Sequence, residues 1–122
     1  MNQEIAALPK SYAVLIIDMA HYRETESELL ISGFPSREEA IEYARRRLRS
    51  SVEELRAMNQ SAAELRRLWS IYGEDAMVIE EAGYKGSSEL DFFIAHPASA
   101  EEQDWQAIEK RLGKQLIKRI AD

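Results

Sequence analysis

Residues Tyr12-Ala-Val-Leu-Ile-Ile17 form an unbroken apolar run that ends at a carboxylate, Asp18. Val14, Ile16 and Ile17 are β-branched, lose rotamer freedom in a helix and pack well on a pleated surface, so the run reads as a strand. An antiparallel strand with one face in water alternates apolar and polar residues. This one does not alternate, so both of its faces need cover. It is also far shorter than the roughly 20 residues that span a bilayer. The run therefore belongs at the centre of a sheet in a globular domain, and 122 residues suffice for one core rather than two.

The rest of the chain supplies partners for that strand. Glu28-Leu-Leu-Ile-Ser32 is expected to close a hairpin with it, ended by Gly33 and Pro35. Ser36 with Glu39 makes a capping box, followed by Ile41, Ala44, Leu48, Val52 and Leu55 at helical steps, which predicts a helix of about five turns. Ser61 with Glu64 opens a second helix that stops at Gly73. Residues 76–80 and 89–95 read as a second hairpin, since Leu90, Phe92 and Ile94 alternate with Asp91 and Phe93. Ser99 with Glu102 then opens a last helix through Trp105, Ile108, Leu112 and Leu116. The expected fold is a single α+β domain over residues 1–122. It has a four-stranded, mainly antiparallel sheet of two hairpins, three helices packed on one face, the order ββααββα and a flexible 1–10 segment. The parallel between Ser27-Glu28-Leu29 and Ser88-Glu89-Leu90 suggests a duplicated ββα unit, and independent use of a generic cap explains it as well.

Composition removes several function classes. Without cysteine there are no disulfides, thiol nucleophiles or thiolate metal sites. A net charge of −6 argues against a general polyanion binder. The first ten residues include Glu4 and lack the basic and long apolar segments of a secretory signal, so a cytoplasmic protein without a membrane span is expected. Phosphate-loop, nucleophile-elbow and metalloprotease motifs are missing, which argues against an enzyme. No cofactor is expected, and no metal, since a structural role for His96 outweighs a metal set with Asp18 or His21.

Candidate sites remain. Asp18, His21 and Arg23 sit at the end of the first strand and in its loop, and His96 ends the last predicted strand. Together they would offer a base, an acid and an anion anchor around one pocket. Arg45 and Arg49 align on the long helix as a partner-binding row, although Glu42 with Arg46 and Glu53 with Arg49 also suit ordinary surface pairs. Tyr84, between Gly83 and Lys85, is expected to stand exposed on a hairpin tip as a partner contact. These features favour a non-enzymatic, homodimeric protein-interaction or binding module. The alternatives are a small enzyme or small-molecule binder at the polar pocket, and nucleic-acid binding through the arginine helix.

Overall fold

The computed structural model describes residues 11–21, 28–56, 61–113 and 116–120. Among them the strands are β1 (Tyr12–Asp18), β2 (Leu29–Phe34), β3 (Glu74–Val78) and β4 (Ile117–Ile120). The helices are α1 (Arg37–Arg56), α2 (Ala62–Tyr72), α3 (Leu90–Ala95) and α4 (Trp105–Leu112). The fold is α+β with an antiparallel sheet in the order β3-β1-β2-β4. The apolar run is thus central, as its sequence requires.

Alternation assigns the two faces of the sheet. Val14 and Ile16 pair with Ile31 and Leu29 on one side and with Val78 and Ala76 on the other. Val14, Ile16, Ile31, Ala76 and Val78 are buried in one cluster with Phe34, Ala40, Tyr43 and Ala44, joined by Ile108 and Leu112 of α4. A second cluster joins Leu48 and Val52 of α1 to Leu65 and Trp69 of α2 and Leu90, Phe93 and Ile94 of α3. α1 therefore serves both cores. Its first half lies on the sheet and its second half carries α2 and α3.

Gly33 does not end β2. Tyr12 pairs with Phe34 and Ala13 with Ser32, which leaves Gly33 as the extra residue of a bulge at φ 105°. That extra residue resets the alternation, so Phe34 turns inward three positions after Ile31, and both are fully buried.

The second predicted hairpin does not form. Residues 90–95 are helical, with Leu90, Phe93 and Ile94 buried and Phe92 54% exposed. The segment satisfies a two-residue and a 3.6-residue period equally, and packing selects the helix. β3 instead has its outer edge covered by the following loop, where Val78 N donates to Tyr84 O at 2.8 Å and Ser87 N to the buried Asp75 Oδ1 at 3.0 Å. With 90–95 helical, the ββα duplication has no structural counterpart.

The last helix does not run on through Leu116, because Gly113 ends it after Leu112. At φ 56° it caps α4, and the chain re-enters the sheet as β4 beside β2. The Ser36 and Ser61 hydroxyls accept from Glu39 N and Glu64 N, each at 3.1 Å, as the capping boxes predict. The Ser99–Glu102 box forms reciprocally but opens a 3₁₀ turn, and Asp104 caps α4. The 1–10 segment and Arg23 lie outside the described residues.

Candidate functional site

Tyr43, Arg47 and Ser51 recur every four residues along the buried side of α1. They would be unsatisfied there without polar partners. β3 brings one. α2 ends where Gly73 N donates to Trp69 O, and a Cβ on Gly73 would stand 2.3 Å from the Trp69 ring. Only glycine lets the chain turn so tightly against the indole and enter β3 directly, which sets Glu74 beside Arg47. Ser51 Oγ fastens the turn by accepting from Trp69 Nε1 at 2.9 Å and from Glu74 N at 3.3 Å.

Arg47 is 7% exposed. Its Nε and Nη2 each donate to a Glu74 carboxylate oxygen at 3.0 Å, and Nη1 donates to the Tyr43 hydroxyl at 3.1 Å. The guanidinium carbon lies 3.9 Å from the centre of the Trp105 ring. Tyr43 in turn donates to Glu109 Oε2 at 2.5 Å. Burial raises the Tyr43 pKa far above the usual phenol range, reinforced by Glu109 and opposed by Arg47, so the hydroxyl stays a donor. Burial alone would lower the Arg47 pKa, but Glu74 and Tyr43 outweigh it and the net shift is upward.

This network floors a cavity of about 290 Å³. Asp18, Ser50, Glu54, Leu55, Tyr72, Gly73 and Trp105 complete its lining with Arg47, Ser51 and Glu74. Glu54, Ser50 and the Tyr72 hydroxyl make no hydrogen bond among the described residues, and Tyr72 is 63% exposed. The floor is internally matched, whereas the rim keeps free acceptors.

The residues singled out in the sequence fall in different places. Asp18 lines the cavity, where its carboxylate accepts from Ala20 N at 3.0 Å and lies 3.1 Å from His21 Nδ1. His96 follows α3 instead of a strand, with Nδ1 2.9 Å from Phe92 O and its ring stacked on Phe92 at 4.1 Å. It does not line the cavity. Among the described residues no group of three or more histidines and carboxylates is placed to hold a metal ion.

The arginine row is occupied within the chain. Arg45 donates to both Glu89 oxygens, at 2.8 and 3.2 Å. Arg49 donates to His96 O at 2.6 Å and lies over the Phe93 ring, while Arg56 reaches Ile94 O and Phe93 O at 2.9 and 3.0 Å. Cations thus meet the carbonyl end of α3, where the helix dipole favours them. Glu42 pairs with Arg46 at 2.8 Å as expected, but Glu53 pairs with Arg56 rather than Arg49. Tyr84 is half-buried against the core rather than exposed, and its hydroxyl donates to Glu89 at 2.5 Å. Burial raises its pKa, and the Arg45 hydrogen bond holds Glu89 below the usual carboxylate value.

Sequence reasoning passed over Tyr43, Arg47, Glu74 and Glu109. The available signal was helical phase, since Arg47 shares the face of Ala40, Ala44 and Leu48. An arginine there needs a buried acid. Compared with family models, curated proteins and solved structures, the chain matches none.

Proposed function

We propose that this chain is a non-enzymatic binding module whose cleft, at the junction of β1, α1 and β3, receives a small polar ligand. One observation carries the reading. One cavity, of about 290 Å³, places the uncommitted groups of Ser50, Glu54 and Tyr72 over a floor locked by Arg47 and Glu74. Its size is at the lower end for small-molecule pockets. The mutual pairing of Arg47, Glu74, Tyr43 and Glu109 leaves that set spent on structure, which supports binding over catalysis. The test is an amide-shift map of the ¹⁵N-labelled chain against a set of small polar fragments. Shifts gathering at Asp18, Ser50, Glu54, Tyr72 to Glu74 and Trp105 are expected. A fragment set that moves none of these amides refutes the reading.

A second reading, self-association, is favoured by the outward side of the sheet. There Leu15 pairs with Leu30 and with Met77, an apolar row across β2, β1 and β3. Light scattering should give a dimer at micromolar concentration, reduced to a monomer by Leu15→Lys with unchanged circular dichroism. A monomeric parent chain rules the dimer out.

A further inference from the structure

Resting on the cleft reading above, we propose that the ligand is a small organic cation carrying a guanidinium or primary ammonium head. The charges on the cavity wall are the first reason. Arg47 is the one cation of the lining, and Glu74 matches it through two hydrogen bonds of 3.0 Å. Asp18 and Glu54 remain, Asp18 shared with the exposed His21 and Glu54 without an ion pair among the described residues. With Arg47 matched by Glu74, the lining is left net negative, and a concave wall with excess charge of one sign concentrates the opposite ion.

Aromatic surface is the second reason. Tyr72, 63% exposed, and Trp105 both belong to the lining. Aromatic faces attract desolvated cations, and a carboxylate beside them fixes the head group. The molecule already displays this mode internally, since the Arg47 guanidinium lies 3.9 Å from the indole centre while Glu74 grips its edge. An anionic ligand would meet Glu54 and Asp18 with no free cation in the lining to offset them.

The experiment is calorimetric titration of the full chain at low salt with agmatine and butylamine, against acetate, inorganic phosphate and neutral butanol. The two cations should bind, and more weakly as salt is raised. Glu54→Gln and Tyr72→Ala should each weaken them by about fivefold, the loss of one exposed contact. Both side chains project from the core, so thermal unfolding should be unchanged. If acetate or phosphate shifts the cleft amides and the cations do not, the cleft reading survives and the cationic ligand falls. If no probe binds, the cationic ligand falls, while the cleft reading stands or falls on the fragment map. Cation binding that both substitutions leave intact places the cation elsewhere and overturns the proposal.

Discussion

A guanidinium at 7% exposure has lost most of its hydration, and Arg47 recovers it from Glu74, Tyr43 and the Trp105 face. Breaking such a set by removing one partner costs more than the set itself contributes, because the remaining charge is stranded. Arg47→Met is therefore expected to lower unfolding free energy by about 2–4 kcal/mol, read from urea midpoints. An unchanged midpoint would mean that Glu74 and Tyr43 find water unaided. Ser51→Ala strands the Trp69 indole N–H and is expected to cost about 1–3 kcal/mol. Arg47 was hard to see in sequence because it sits in Arg45-Arg46-Arg47-Leu48-Arg49, where composition says only that the segment is basic. Phase around the helix separates it from its neighbours, and its partner Glu74 lies 27 residues away.

At the scale of elements, local signals succeeded where one element could satisfy them alone. The Ser36 and Ser61 caps and the run Tyr12–Ile17 describe groups that are near each other in the chain. Residues 90–95 failed that test. Leu90, Phe92 and Ile94 give a strand period, Leu90, Phe93 and Ile94 give a helical one, and the choice is made by the second core and by Arg49 and Arg56 at the helix end. Gly33 was read as a stop because glycine in a strand marks either an end or a bulge. Its φ of 105° decides for the bulge. Gly33→Ala should cost about 1–2 kcal/mol and disturb Phe34, visible as shifted ring resonances. Native-like Phe34 shifts with unchanged stability would contradict that role.

For the whole molecule, α1 is the shared wall of two cores, and the cleft opens where its second half meets the ends of β1 and α2. Asp18 was legible as a site residue because a carboxylate interrupts apolar patterning. The remainder of the cleft comes from three separate stretches of chain, residues 47–55, 72–74 and Trp105, and no spacing announces it. Cooperative packing also makes a pH prediction. Tyr43 and Tyr84 have pKa values raised by burial, so between the ordinary phenol value of about 10 and their own, the folded state holds protons that the unfolded state releases. Their contribution is intact below about pH 10 and lost as pH rises through the folded values. Urea midpoints should hold up to about pH 10 and fall progressively above it, with part of the tyrosinate absorbance appearing only on unfolding. A flat midpoint with all five tyrosines titrating in the folded state would oppose it. The most direct measurement of the central claim is an intermolecular NOE spectrum of the chain with agmatine. Cross-peaks from its methylenes to the Tyr72 and Trp105 ring protons are expected, whereas cross-peaks confined to Phe92 and His96, or none at all, would contradict the cleft as the binding site.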